Sequence, residues 1–258
     1  MAVTSSASSV SRIAMGGTRR PGILVVFDLD DTLVVTQPRF DAANAVILPL
    51  IAGEAGVDPT VVRARYLEIR KGKDARGFST AHYAQAYIEA YRGLVKVRKP
   101  STENRIASVA AAVWTPPYQM HAGAAQAVSQ IARHPAVGGV VILTLGNRAV
   151  QAAKINSMPA MTRAAIAGAY VVGAKNAAIF RTVLGTTNPT RAIMIGNSRA
   201  SDIAPAQACH MAAILVEAGG WERDQATVNV ASPFFRRVSS ISGAPAAATS
   251  LIAAMTQR

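Results

Sequence analysis

Residues 24–33 have the sequence LVVFDLDDTL, an apolar stretch that ends in three aspartates within four positions. The carboxylates of Asp28, Asp30 and Asp31 repel one another, and removing them from water costs free energy. A chain that places them at the end of a hydrophobic strand needs either a bound cation there or three side chains that point apart into water. The rest of the sequence has to distinguish these two arrangements.

Five short apolar runs alternate with Ala-rich segments that are compatible with helix. Each run is apolar throughout, which is typical of parallel strands covered on both faces. The segments 147–158, 174–185 and 201–209 have the length of single crossover helices. The sequence therefore predicts an α/β fold with a parallel sheet. The predicted strands are GILVVF (22–27), GVVILTL (139–145), AYVVG (169–173), AIMIG (192–196) and AAILV (212–216).

The connection after the first strand is far longer than a crossover. It contains about 85 residues without a comparable apolar run, against the dozen or so that a crossover requires. Apolar residues at spacings of three and four predict a small helical bundle, with Ser79 and Ser101 as N-caps and Gly56 as a stop. The prolines of TPPY (115–118) would return the chain to the core. The helices are predicted over 40–56, 59–72, 79–94 and 101–114.

Three kinds of segment are therefore expected along the chain. Residues 1–20 are Ser-rich and lack acids, which predicts a disordered leader, with an organelle transit peptide as the alternative. Residues 21–36 and 116–258 are expected to form the core, and residues 37–115 the helical insertion.

Composition narrows the classes of function. The 258-residue chain is half apolar and has a formal charge of +13. Its basic residues are scattered, so we expect steering of small anionic substrates and no nucleic-acid binding. The single cysteine, Cys209, excludes an intramolecular disulfide and a cysteine-based zinc site. No apolar run approaches the roughly 20 residues that span a bilayer, so a cytoplasmic protein without a membrane partner is expected.

Polar residues lie at the end of, or shortly after, four of the predicted strands. Ligands of open parallel sheets bind beyond the carboxyl ends of the strands, so these residues should meet in space. Carboxylates, an amide, hydroxyls and a lysine at one edge suit a magnesium site that handles a phosphoryl group. A bound cation is thus favoured, with Asp31 facing the turn. The residues are Asp28, Asp30, Thr144, Lys175, Asn197, Ser198 and Asp202.

The order of these motifs resembles the haloacid dehalogenase-like (HAD) hydrolase superfamily. The resemblance covers residues 22 to about 220 and includes a helical cap inserted after the first motif. It implies a Rossmann-like core, a mobile cap and, usually, phosphatase activity through an aspartyl-phosphate intermediate. We therefore expect a Mg²⁺-dependent phosphatase acting on a small phosphorylated metabolite. The matching motifs are FDLDDTL, ILTLGN, GAKNAAIF and IMIGNSRASDIAPAQACHMAAILV.

The resemblance also implies catalytic roles. Asp28 would be the nucleophile, and Asp30 would protonate the leaving oxygen and then deprotonate the attacking water. Thr144 would contact a phosphoryl oxygen, with position 145 as a second substrate contact. Lys175 would neutralise the nucleophile and the transferring group.

The resemblance further implies that Mg²⁺ is held by Asp28, the backbone carbonyl of Asp30, and Asp202. Lys154 is the other lysine that could serve the site, but its position in the middle of a helix predicts a solvated side chain.

One departure from the family pattern leaves alternatives open. The fourth motif commonly begins Gly-Asp, whereas this chain has Gly196-Asn197, and an amide binds Mg²⁺ more weakly than a carboxylate does. A catalytically weak HAD-fold binding protein is therefore one alternative. A 2-haloacid dehalogenase is another, although such an enzyme needs neither the metal nor the second acid, Asp30.

Overall fold

The chain forms two compact units. The computed structural model describes residues 10–74, 79–217 and 226–257. The sheet unit consists of Met1–Val35 with Tyr118–Arg258, and the helical unit is Thr36–Pro117. The helical unit thus begins one residue before, and ends two residues after, the insertion expected at 37–115.

The sheet unit is built on one sheet, with seven strands among the described residues. Their order is β1-β4-β3-β2-β5-β6-β7, and every neighbouring pair is parallel except β1 with β4. All five predicted strands are present, which confirms the α/β, Rossmann-like fold. The strands are β1 (Ser11–Ala14), β2 (Ile23–Phe27), β3 (Val137–Leu145), β4 (Gly168–Val172), β5 (Ala192–Gly196), β6 (Ala212–Val216) and β7 (Phe235–Val238).

The central strand β2 shows why the predicted strands are apolar throughout. Ile23, Val25 and Phe27 pack into one hydrophobic cluster. Leu24 and Val26 pack into a second cluster. Since consecutive side chains of a strand point to opposite faces, both faces of the sheet at β2 are covered by apolar packing.

The two edge strands are not among the strands predicted from the sequence. β1 lies within residues 1–20 and pairs with β4, so the prediction of a disordered leader is wrong for Ser11–Ala14. Residues 1–9 lie outside the described part of the chain. β7 pairs with β6 at the opposite edge. Each edge strand has only four residues, several of them accessible to solvent, so neither carries the continuous apolar run of a central strand.

Helices follow the strands of the sheet unit. The predicted crossovers correspond to α6, α8 and α9, and a π-helical turn at Arg199–Ile203 precedes α9. Short 3₁₀ turns lie at Pro189–Arg191 and Ile241–Gly243. The helices of this unit are α5 (Ala124–Arg133), α6 (Arg148–Asn156), α7 (Ala160–Ala164), α8 (Ala177–Leu184), α9 (Ala204–Ala208) and α10 (Ala244–Thr256).

The helical unit contains the four predicted helices. Ile47, Val62, Tyr87 and Ile106, one from each helix, contribute to a single hydrophobic cluster. Tyr66 stacks on Tyr87 with ring centroids 3.9 Å apart inside this cluster. The helices are α1 (Gln37–Ala55), α2 (Pro59–Asp74), α3 (Thr80–Leu94) and α4 (Pro100–Ala112).

Two of the three predicted helix boundaries in this unit are confirmed. The Ser79 hydroxyl accepts a hydrogen bond from the Ala81 N–H, and Gly56 ends α1 in the left-handed conformation with φ of 66°. The N-cap prediction for Ser101 is wrong, because α4 begins at Pro100 and Lys99 occupies the N-cap position. Proline suits the first position of a helix, where an N–H has no intrahelical partner.

Among the described residues, no helix by itself combines the length and apolarity needed to cross a membrane. The pair Gln37–Ala55 and Pro59–Lys73 meets those two criteria only when taken together, and it is bent by 110° at its junction.

Candidate active site

Asp28 lies directly after β2, at the carboxyl edge of the sheet. Its backbone N–H donates to the Ile195 carbonyl of β5 at 2.9 Å, which fixes its position between two strands. The carboxylate is buried and accepts hydrogen bonds from Lys175 Nζ at 2.5 Å and from Thr32 Oγ1 at 2.9 Å. Thr32 is thus part of the site, although the motif assignments give it no role.

The neighbouring aspartates point to different surroundings. Asp31 lies in the turn after β2, with φ of 58°, and its N–H donates to the Val34 carbonyl at 2.7 Å. Asp30 accepts hydrogen bonds from Gln151 and Lys154 instead. The structure therefore separates the three carboxylates instead of gathering them around one point.

Lys175 connects Asp28 with Asp202. Its Nζ donates to Asp28 Oδ1 and, at 2.6 Å, to Asp202 Oδ1, and 2 % of its side chain is exposed. Burial lowers the pKa of Lys175, but the carboxylates of Asp202 and Asp28 outweigh burial and raise it above its usual range. Lys175 therefore carries a positive charge at neutral pH, as its predicted role requires.

The Asp28 carboxyl has a strongly altered acidity. Burial raises the pKa of Asp28 to about 7, and Asp202 and Asp30 raise it as well, while Lys175 lowers it. A carboxylate that is incompletely hydrated and held by one ammonium group is available for nucleophilic attack once it is ionised.

Asp30 is held by two residues of α6. Lys154 Nζ donates to Asp30 Oδ1 at 2.6 Å, and Gln151 Nε2 donates to Asp30 Oδ2 at 2.8 Å. The expectation of a solvated Lys154 is wrong, since only 3 % of this side chain is exposed. The helix begins directly beyond the tip of β3, so its inner face lies over the site instead of facing solvent.

Gln151 is not among the site residues predicted from the sequence. A signal was present, because Gln151 and Lys154 are three residues apart and therefore share one face of α6. Both are buried, which makes that face polar where a helix over a sheet would normally be apolar.

Thr144 and position 145 occupy the end of β3. Thr144 is fully buried, and its Oγ1 lies 2.8 Å from Gln151 Nε2. Position 145 is Leu145, whose backbone carbonyl accepts a hydrogen bond from Gln151 at 2.7 Å. The side chain at 145 is apolar, so a polar contact there would have to come from the backbone, and the substrate contact at 145 stays a prediction. The asparagine of this motif is Asn147, which caps α6 by accepting from the N–H groups of Ala149 and Val150.

The fourth motif supplies Asn197 and Asp202. Asp202 Oδ2 accepts a hydrogen bond from the Ser198 N–H at 3.0 Å, across the π-helical turn. Gly196, the last residue of β5, makes room for this carboxylate, since a Cβ there would lie 2.3 Å from Asp202 Oδ2. Asn197 is buried, with Oδ1 3.2 Å from Thr32 Oγ1.

The structure thus brings most of the predicted site residues to one edge of the sheet, in two networks. The first network joins Asp28, Thr32, Lys175, Asn197 and Asp202. The second joins Asp30, Thr144, Gln151 and Lys154.

This fold and these networks define a hydrolase of the HAD type. Residues 24–210 match the family model of the haloacid dehalogenase-like hydrolases. The match covers most of the chain, so the protein belongs to this family. None of the curated proteins matches the sequence.

Solved structures give the same result for the fold. A haloacid dehalogenase-like family hydrolase from Xanthomonas campestris is 26 % identical, with a TM-score of 0.79 over 93 % of this chain and 100 % of that one. A 2-haloacid dehalogenase from Pseudomonas syringae pv. Tomato is 19 % identical, with a TM-score of 0.55 over 88 % and 98 % of the two chains. A HAD phosphatase from Thermococcus onnurineus is 14 % identical, with a TM-score of 0.50 over 86 % and 95 %. The last two are similar in fold alone and represent two different chemistries.

Proposed function

We propose that the protein is a Mg²⁺-dependent phosphatase that hydrolyses a small phosphorylated metabolite through an aspartyl-phosphate intermediate. The observation that carries the proposal is Asp30, a second carboxylate two residues after the buried Asp28. Its two oxygens accept hydrogen bonds from Gln151 and Lys154. Displacement of a halide needs no proton donor, whereas departure of an alkoxide does.

The first chemical step transfers the phosphoryl group to the protein. The Asp28 carboxylate attacks phosphorus, the bond from phosphorus to the leaving oxygen breaks, and Asp30 gives that oxygen its proton. Lys175 stays beside Asp28 and stabilises the negative charge on the transferring group.

The second step regenerates the enzyme. Asp30, now ionised, takes a proton from a water molecule, and the resulting hydroxide attacks the phosphorus of the acyl phosphate. The bond from phosphorus to the Asp28 oxygen breaks, which releases inorganic phosphate and restores both carboxyl groups to their starting states.

The oxygen donors at this edge fit Mg²⁺. Among the described residues, no group of three His, Cys, Asp or Glu side chains is arranged to hold a metal, so the ion would depend on other oxygens and on water, as Mg²⁺ commonly does. Asp28, the Asp30 carbonyl and Asp202 would hold it, with the Asn197 amide as a further donor. When bound, Mg²⁺ neutralises charge on the phosphoryl group.

The hydrogen bonds of Asn197 support this fit. Thr32 Oγ1 lies within bonding distance of both Asp28 Oδ2 and Asn197 Oδ1, but a hydroxyl has one proton to donate. Asn197 Nδ2 is buried without a hydrogen-bond partner in the described part of the chain. If the amide is rotated by half a turn, Nδ2 donates to Thr32 and Oδ1 becomes available to a cation.

One observation favours a 2-haloacid dehalogenase as the second candidate. Lys175 donates to both Asp28 and Asp202 and supplies a positive charge beside the nucleophile, and the fourth motif has the neutral Asn197. In that reaction Asp28 would displace halide from carbon, and Asp30 would have no leaving oxygen to protonate.

Turnover of two substrates distinguishes the candidates. Purified protein with Mg²⁺ should hydrolyse para-nitrophenyl phosphate and lose this activity on treatment with EDTA. Asp28→Asn should abolish turnover while leaving the circular dichroism spectrum unchanged, because the amide is not a nucleophile. Chloride release from 2-chloropropionate in EDTA, without phosphatase activity, would establish the dehalogenase instead. A folded protein that is inactive in both assays would favour the remaining alternative, a catalytically weak HAD-fold binding protein.

A further inference from the structure

We infer that Lys154 and Gln151 are positioning residues that orient the general acid Asp30 towards the leaving-group oxygen. The inference rests on the proposed phosphatase function and adds two residues to it that none of the family motifs includes. Its basis is the second network of the site, at the inner face of α6.

Each oxygen of Asp30 has its own donor. Lys154 Nζ is 2.6 Å from Oδ1, and Gln151 Nε2 is 2.8 Å from Oδ2. Two donors, one at each oxygen, fix the orientation of the carboxyl plane. With a single hydrogen bond the carboxyl group could still rotate. About a quarter of the Asp30 side chain remains exposed, so an oriented carboxyl group is still accessible to a reacting molecule.

The two donors are themselves held in place. Both lie on α6, whose first turn is capped by Asn147. The Lys154 ammonium also lies 5.6 Å from the centre of the Tyr118 ring, which favours a cation at this point. Residues on a helix are held more rigidly than residues on a loop, so α6 can transmit a fixed geometry to Asp30.

Gln151 connects the acid to the residue expected to bind the phosphoryl group. Its Nε2 lies 2.8 Å from Thr144 Oγ1 as well as from Asp30 Oδ2. Gly146 allows this arrangement, since its φ is 149° and a Cβ there would be 2.8 Å from Gln151 Nε2. The distance between the acid and the Thr144 hydroxyl is therefore set by one buried side chain.

The burial of Lys154 costs desolvation free energy, so a functional role for its charge has to explain why a lysine is present here. A buried ammonium group contributes little net stability even when it is paired, and an apolar residue of similar size would usually be no worse. A proton donor, in contrast, has to lie within hydrogen-bonding distance of the oxygen it protonates, and displacement of a reacting group by about 1 Å can cost a hundredfold in rate. Orientation of Asp30 explains why a lysine occupies this position.

The test measures how the rate depends on the leaving group. para-Nitrophenolate leaves without much help from an acid, whereas phenolate and alkoxides need a proton. For Lys154→Met and Gln151→Leu, kcat/KM should fall at least about tenfold more for phenyl phosphate than for para-nitrophenyl phosphate. Lys154→Arg should recover part of the loss, because its guanidinium can donate to the same oxygen.

A matched control is available in the helical unit. Lys73 is also buried and pairs with Glu89 at 2.7 Å. Lys73→Met removes a buried ammonium group that belongs to neither network of the site and should leave the ratio of the two rates unchanged, whether or not the melting temperature changes. If Lys154→Met does not fold, Gln151→Leu and Lys154→Arg supply the same ratio.

The outcomes separate the two proposals. Equal losses on both substrates would overturn the positioning role and leave the phosphatase intact. A wild-type protein that hydrolyses neither phosphate ester, yet releases halide, would overturn the phosphatase and this inference together.

Discussion

At the scale of single residues, the site separates carboxylates that are close in sequence. Asp28 is paired with Lys175, Asp30 with Lys154, and Asp31 lies in the turn. Lys175 is shared by Asp28 and Asp202, and the raised pKa of Asp28 indicates that this ammonium group offsets only part of the cost of burying the carboxylate. This separation gives Asp28 and Asp30 different surroundings, as the proposed roles of nucleophile and acid require.

The pKa of Asp28 predicts how stability depends on pH. Burial raises this pKa from 3.8 to about 7, so the folded protein holds the proton more tightly than the unfolded chain does. The resulting stabilisation is present below pH 4 and is lost as pH rises through 7. The melting temperature of Asp28→Asn minus that of the wild type should therefore increase from pH 5 to pH 8 in EDTA. Mg²⁺ should reduce the difference at pH 8, and a difference independent of pH would contradict the prediction.

Replacement of Asn197 by aspartate is expected to increase the affinity for Mg²⁺. Asn197→Asp adds a carboxylate beside Asp28, so the Mg²⁺ concentration that gives half-maximal activity should fall by about tenfold. In EDTA the same substitution should destabilise the fold through repulsion between carboxylates. The control is Asn188→Asp, at the N-cap of the 3₁₀ turn before β5, which should leave the Mg²⁺ dependence unchanged. An unaltered Mg²⁺ dependence in Asn197→Asp would exclude this residue from the metal site.

At the scale of secondary structure, the turns that follow the strands position the residues of the candidate site. The turn after β3 leads into α6 and so determines where Gln151 and Lys154 lie. The π-helical turn after β5 places Asp202 opposite the end of its own strand, near Gly196. Irregular helical turns of this kind are frequent at functional sites.

Gly196→Ala tests the turn after β5. The added Cβ would lie 2.7 Å from the Cβ of Asp202 as well as against its carboxylate, so a change of rotamer cannot relieve the clash. We expect a loss of about 1–3 kcal/mol in the free energy of unfolding and at least about a tenfold loss of kcat, because Asp202 must move away from Lys175. Gly173→Ala, after β4, has nothing within 4 Å of the added atom and should behave as wild type. Full activity in Gly196→Ala would show that catalysis does not depend on the position of Asp202.

At the scale of the whole molecule, each unit has its own hydrophobic interior. The cluster in the helical unit contains only residues from Thr36–Pro117, and the three clusters of the sheet unit contain none of them. Each unit therefore has the separate apolar interior that an independently folding unit requires.

Separate interiors predict that the helical unit folds alone. A fragment covering residues 36–117 should have a helical circular dichroism spectrum and a cooperative thermal transition. Ile106→Ala should lower the free energy of unfolding by about 2–5 kcal/mol, because it leaves a cavity among fully buried side chains. Val97→Ala, at a side chain that is 72 % exposed, is the matched control and should have little effect. A fragment without a cooperative transition would contradict the prediction.

The sequence alone was sufficient to predict the central strands and the helical insertion. It also predicted that Asp28, Lys175 and Asp202 meet at the carboxyl edge of the sheet. A strand buried on both faces has a continuous apolar run, and a residue just beyond it has to lie at the carboxyl edge of a parallel sheet. Both signals lie within one short segment of sequence, so they can be recognised without knowing which other strands pair with that segment.

Only the tertiary structure decided the partners of Asp30 and the edges of the sheet. Lys154 and Gln151 are far from Asp30 in sequence, and whether a polar helical residue is solvated or buried depends on what packs against that face of the helix. β1 is half-exposed and belongs to the sheet because β4 offers it unpaired hydrogen-bonding groups. The hydrogen bonds of Asp30 to α6 and the pairing of β1 with β4 both join segments that are distant in sequence. A local sequence pattern therefore cannot predict them.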